Sequence, residues 1–297
     1  MKDKKFNLLT FGLLLFVLMQ LTYFGVLFLF NLPMEIEDFF FIFIFLVSLV
    51  FFYFASLYLH EFSHYFVAKL LKYEEVSLQA RGLRFKSGKM RVILSEIFYG
   101  NSISKEIKAE GYVTFKPKFN NIKKDKIKLS LVLLAGPLIN FVVFILLIQI
   151  SIDVPILSIF QLGGAVVSIV FVIASMIGDF LMIVLLFRKD YFYYYFSITL
   201  YLQHYTRDKL KSEEELSLLL QKLQQYLDLK REKAQIKDWL IIFYGLVQGS
   251  FLMEESFFTV QDIQFFLIEY ERSKKNLNQV HENIYKNLVE MGVVSHR

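Results

Sequence analysis

The chain has 297 residues, of which 56% are apolar and 18% aromatic, with 34 Phe and 17 Tyr. That composition excludes an ordinary soluble enzyme and a disordered chain, and describes a membrane protein with a soluble remainder. The absence of Cys removes disulfide scaffolds, thiol nucleophiles and thiolate-held zinc together, leaving His and carboxylate as the strong metal ligands; the net charge of +5 is small and matters less than its distribution.

The basic start Met1-Lys2-Asp3-Lys4-Lys5 precedes an apolar run over residues 6 to 30. It is too long for a signal-peptide core and no small-residue cleavage site follows, so it reads as an uncleaved first helix. The connection at 31 to 38 holds Glu35, Glu37 and Asp38 without any Lys or Arg, which places it outside. Residues 1–38 thus form a first transmembrane helix and an external loop.

A second span covers residues 39 to about 68 and contains His60-Glu61-Phe62-Ser63-His64. On a helix His60 and His64 share one face, where two imidazoles can hold one metal ion with Glu61 beside it. With five His in the whole chain, this spacing is rarely met by accident. Two packed or hydrogen-bonded histidines are the alternative, but three ionisable groups within five positions of an apolar span need a compensating partner, which a divalent cation supplies.

From 76 to 95 the pattern changes to alternation: Val76, Leu78, Ala80, Leu83 and Phe85, then Lys86-Ser87-Gly88-Lys89 before Met90-Arg91-Val92-Ile93-Leu94. The period of two and the Ser-Gly turn predict a β-hairpin, either packed on the core or presenting an edge. The whole connection from 72 to 128 is crowded with Lys and Arg, from Lys72 and Arg81 to Lys126 and Lys128. By the positive-inside rule it faces the cytoplasm.

A third span at 129 to 150 and a fourth at 155 to 187 follow, the latter long enough to tilt or to break near Gly163-Gly164. Arg188-Lys189 ends the fourth span on the cytoplasmic side. Taking Lys69 and Arg188 as the inner surface, His60 lies roughly 13 Å above it, His64 roughly 7 Å and Asp179 roughly 13 Å. Asp179 is the only acidic residue between Val154 and Phe187. A carboxylate at the depth of the histidines suits a third ligand; the alternative is a helix-end Asp that hydrates itself or pairs with a Lys.

Beyond residue 188 the chain predicts a helical cytoplasmic unit, 188–297, of unassigned role. Tyr191 to Phe196 suit a helix at the membrane interface. Ser212-Glu213-Glu214-Glu215 opens a helix with Leu216, Leu219, Leu223 and Leu227 on one face. Residues 239 to 253 read as a buried core helix rather than a further span, and Thr259-Val260-Gln261-Asp262 caps a last helix reaching about Leu288. Nothing in the chain points to nucleic acid, and the oligomeric state is not legible.

The motif at 60 to 64, Gly136-Pro137-Leu138-Ile139-Asn140 in the third span and Asp179 in the fourth together resemble the site-2 protease family of intramembrane zinc metalloproteases. The resemblance covers roughly residues 40 to 187. It implies a mainly α, polytopic helical bundle with a small β-hairpin at the membrane surface, its protease core lying in 39–187 and the hairpin region in 73–128. It further implies Zn2+ held by His60, His64 and Asp179, with Glu61 as general base. In that family a Gly-Pro-x-x-Asn element enters the core beside the metal and its Asn, here Asn140, holds substrate or the oxyanion; an interhelical hydrogen bond is the other reading of Asn140. The family commonly has Asp followed by Gly, whereas here Gly178 precedes Asp179 and Phe180 follows it.

The expected activity is cleavage of membrane-embedded segments of single-pass proteins, or of signal-peptide and peptide-precursor remnants, in a bacterial cell membrane with both termini cytoplasmic. The competing readings are a zinc-binding membrane scaffold or sensor without proteolysis, and a metal-handling membrane protein.

Overall fold

The computed structural model describes residues 36–86, 89–93, 111–116, 121–204, 214–233, 235–272 and 279–295. The first helix expected at 6 to 30 and most of its external loop lie outside them. The fold is mainly helical, with a small antiparallel sheet between the first and second described helices.

Helix α1 spans Ile36–Leu70 with no Gly or Pro to interrupt it. It ends where Lys72 adopts a left-handed conformation (φ 59°), with Tyr73 N–H donating to Ala68 C=O and Lys72 N–H to Lys69 C=O. This pair of bonds satisfies the last carbonyls and reverses the chain. Strand β1 (Glu74–Ala80) then runs back along the helix that precedes it. At the tip, Arg81 Nη1 donates to the Tyr53 hydroxyl at 2.8 Å and its guanidinium lies over the Tyr53 and Phe54 rings. Tyr53 is seventeen residues before Leu70, so the hairpin turn reaches about 26 Å back from the helix end.

Strands β2 (Leu83–Lys86), β3 (Lys89–Val92) and β4 (Gly111–Lys116) complete a sheet of order β3-β2-β1-β4, antiparallel throughout. The expected single hairpin is therefore part of a larger sheet, with a first turn at Arg81-Gly82, where Gly82 has φ +83°. Lys86 pairs with Lys89 as the Ser-Gly turn implied. Strand β4 is the added element, and a register shift between Glu74 and Ser77 marks a bulge beside it.

Helix α2 (Ile122–Gln149) starts seven residues before the expected boundary, because Asn121 caps it by accepting from Lys124 N–H while Asp125 accepts from Asn121 N–H. Helix α3 (Pro155–Ser175) takes Pro at its first turn and runs unbroken through Gly163-Gly164. Those glycines do not break the helix; they let α3 approach α1 so closely that a Cβ on Gly163 would overlap the Ser48 hydroxyl and one on Gly164 would press on the Phe52 ring at 2.7 Å. The irregularity falls later, in a π turn at Met176–Phe180 leading into α4 (Leu181–Arg188).

Helices α1, α2 and α3 pack pairwise. Among the described residues, four helical stretches are long and apolar enough to cross a membrane: Phe40–Leu70, Ile122–Gln149, Pro155–Arg188 and Ile236–Met253. The first three bury only 22% of their apolar stretch inside the protein, leaving Phe43, Phe51, Phe66, Leu138 and Ile177 among the exposed large side chains. The last buries 50%.

That fourth stretch is α7, one of five C-terminal helices among the described residues: α5 (Asp190–His204), α6 (Glu214–Glu232), α7 (Ile236–Met253), α8 (Val260–Arg272) and α9 (Gln279–Glu290). Leu216, Leu219, Leu223 and Leu227 line the inner face of α6 as expected, against Trp239, Phe243 and Leu246 of α7. The expected last helix is two, α8 and α9; Thr259 and Asp262 cap the first reciprocally. Tyr191 to Tyr194 point into this core rather than to an interface, and the core continues into Tyr73, Phe115, Leu129 and Leu186. Lys126 meets Asp190 at 2.5 Å and Lys189 meets Asp238 at 2.5 Å across the junction.

Candidate metal centre

His60, Glu61 and His64 occupy the second half of α1 and are buried, with 8%, 7% and 7% exposure. Their helical spacing brings the two Nε2 atoms to 3.0 Å. Asp179 Oδ2 closes the triangle at 3.2 Å from His60 Nε2 and 3.7 Å from His64 Nε2. The three side chains form a group that could bind a metal, and all three come from long apolar helices. This is the convergence expected from the equal depth of His60 and Asp179.

Asp179 stands inside the π turn. One extra residue in a turn rotates the side chains that follow relative to a regular helix, and such turns recur at functional sites. The Gly178-Asp179-Phe180 order thus sits in a local geometry that a regular helix lacks.

Helix α2 serves the pair with three residues at four-residue intervals on one face. Val132 C=O lies 2.5 Å from His64 Nδ1, leaving Nε2 as the atom that faces Asp179. Gly136 faces both rings: a Cβ there would stand 2.5 Å from His60 Nε2 and 2.5 Å from His64 Nε2. Asn140, wholly buried, has Nδ2 at 3.1 Å from His60 Nδ1. Each imidazole is thereby held through the nitrogen opposite the one it turns to the carboxylate.

A cavity of about 200 Å³ opens on the group. His60, Glu61, His64 and Asp179 line it, together with Gly111, Tyr112, Val113 and Phe115 of β4 and Phe196 and Leu200 of α5. Gly111 lies so close to Glu61 that a Cβ would be 2.6 Å from its Oε1. Asn140 is not on the cavity wall; it stands behind His60. The Ser63 hydroxyl turns back to donate to His60 C=O at 2.6 Å.

The sequence named the His and carboxylate residues of the cavity wall, His60, Glu61, His64 and Asp179, and missed Gly111, Tyr112, Val132 and the work of Gly136. Gly136 carried a signal, as the one Gly of its helix, set directly before Pro137. Gly111 carried none, since its proximity to Glu61 depends on the register of β4 in the sheet. No family model matches the chain, and no curated protein and no solved structure matches it either. The resemblance read from the motifs therefore rests on the residues and their geometry.

Proposed function

We propose that the chain is an intramembrane zinc metalloprotease, of the site-2 protease kind, that cleaves membrane-embedded segments of single-pass proteins or remnants of signal peptides and peptide precursors. One observation carries the reading: two imidazole nitrogens and a carboxylate oxygen converge between long apolar helices, with a fourth ionisable group, Glu61, on the same cavity wall. Ligands about 2.0–2.2 Å from a tetrahedral zinc stand about 3.3 Å apart. The separations of 3.0, 3.2 and 3.7 Å bracket that value, and the notch left by Gly136 keeps the space between the nitrogens clear.

His60, His64 and Asp179 would hold the zinc, which would supply Lewis acidity and make a water acidic enough to react near neutral pH. Glu61 takes the proton of the attacking water and returns one to the leaving amine. A helical substrate hides its carbonyls in its own hydrogen bonds, so it must be held extended before attack. Strand β4 supports that requirement: it is an edge of the described sheet, and its first residue abuts Glu61. The basic connection at 72 to 128 supports, by the positive-inside rule, a water inlet and both termini on the cytoplasmic side.

The test is Glu61→Gln, assayed for zinc content and for cleavage of a membrane-segment reporter. The proposal expects zinc retained and cleavage lost. Cleavage at the native rate refutes it, and intact biological activity without cleavage in either form favours the scaffold or sensor.

A further inference from the structure

We infer that Asn140 is a positioning residue for His60, holding the ring in the tautomer and orientation that a metal ligand needs. The inference rests on the metalloprotease reading and deepens it, because it moves Asn140 from the substrate side of the site to the rear of a ligand.

The geometry runs through both ends of one imidazole. His60 turns Nε2 toward His64 and Asp179, and Nδ1 toward Asn140. An imidazole that donates its Nε2 lone pair to a metal while neutral carries its proton on Nδ1. The group facing Nδ1 must then accept a hydrogen bond. His64 meets this rule with Val132 C=O, an acceptor that cannot do otherwise. At His60 the same place is taken by a side-chain amide, which has one acceptor and one donor.

Asn140 Nδ2 now faces His60 Nδ1, while Oδ1 is buried and has no hydrogen-bond partner among the described residues. A half-turn of the nearly isosteric amide brings Oδ1 to His60, where it accepts from Nδ1–H, and turns the Nδ2 donors to the place that Oδ1 leaves. A carbonyl behind a metal-bound imidazole fixes its plane and raises its basicity. The arrangement also makes α2 a single template, with Val132 and Asn140 eight residues apart, each backing one histidine, and Gly136 between them clearing the metal position.

A role in holding substrate or the oxyanion asks for something else. It requires an amide exposed to the reacting carbonyl, yet Asn140 is 0% exposed and is not among the cavity-lining residues.

The experiment measures zinc affinity of the full-length protein in detergent by competition with a chromophoric chelator. The native chain is compared with Asn140→Leu, Asn140→Ala and Asn140→Asp. Leu and Ala remove the acceptor, whereas Asp keeps one. The expected result is a loss of zinc affinity of about 10–100-fold in Leu and Ala and little or none in Asp. The visible spectrum of the cobalt-substituted protein should be disturbed in the same two variants and native-like in Asp. Thermal unfolding of the metal-free proteins separates folding from ligation, and Ala serves if Leu packs too poorly to fold. Unchanged zinc affinity in Leu or Ala with cleavage lost overturns the inference in favour of a substrate or oxyanion role. Equal losses in Asp, Leu and Ala overturn it in favour of a packing role. A native chain that binds no zinc, or retains it after His60→Ala, defeats the metal reading itself and is distinguishable from both.

Discussion

Gly136→Ala offers the sharpest test of the site geometry, because two physical effects push the result in opposite directions. In an exposed helix interior the change favours folding by roughly 0.5–1 kcal/mol, since Ala loses less backbone entropy than Gly. At Gly136, however, the new Cβ would stand 2.5 Å from His60 Nε2, His60 Cε1 and His64 Nε2. Ordinary carbon–nitrogen contact lies about 1 Å further out, so either both rings or the α2 backbone must retreat by that amount. Overpacking of this kind costs about 1–3 kcal/mol, which exceeds the helical gain. The ligand atoms suffer more than the fold, because metal distances tolerate only about 0.2 Å. We expect zinc affinity to fall by about 100-fold or more, with the metal-free protein destabilised modestly. Metal content per chain and thermal unfolding in detergent, with and without chelator, measure both. A variant with native zinc content and a raised melting temperature would refute the claim that α2 cradles the histidines.

Three further outcomes follow from named contacts. Asp179→Asn, nearly isosteric, should sharply lower zinc retention and cleavage, since an amide is a poorer ligand and the site loses a negative charge; near-native values would return Asp179 to a structural role. Gly163→Ala should destabilise the α1–α3 contact by about 1–3 kcal/mol, and Ser48→Ala in the same chain should recover part of the loss; additive effects would deny the contact. Burial pushes the His281 imidazole below its ordinary value, against the opposing pull of Glu269. The unfolded chain therefore takes up the proton first as pH falls, so the C-terminal helices should lose stability as the pH drops through the ordinary imidazole range, about 6.5, and below it. His281→Gln should flatten that slope in thermal melts, and an unchanged slope would locate the titration elsewhere.

The His60, His64 and Asp179 group was legible because its signals are local or one-dimensional: a four-residue spacing in α1, and a lone acid at matching depth nine residues before Arg188. The helical spans were legible for the same reason, as runs of apolar residues. What escaped was relational. The Gly163-Gly164 pair reads from sequence as a weak point, and only its neighbours Ser48 and Phe52 turn it into a close approach of two helices. Tyr191 to Tyr194 read as interfacial until α6 and α7 are there to cover them. Gly111 could not be connected to Glu61, fifty residues away, before the pairing of β4 with β1 was known. The reach of Arg81 back to Tyr53 likewise depends on which way β1 leaves the end of α1.

The π turn that carries Asp179 also separates tolerance to substitution from tolerance to deletion. A Cβ on Gly178 would meet nothing within 4 Å, so the side chain at that position is free to vary. Its presence as a residue is not. The stretch from Pro155 to Arg188 passes for one helix, but the wide turn accommodates one more residue than an α-turn, about 100° of helical rotation. Removing any single residue from 176 to 180 would let the turn close into regular α-helix and swing α4 against α3 by that angle. Either Asp179 would leave the histidines or Leu186, wholly buried among the C-terminal helices, would leave its pocket. At Gly178 length is held more tightly than chemistry, and homologues should differ at that position by exchange rather than by gaps.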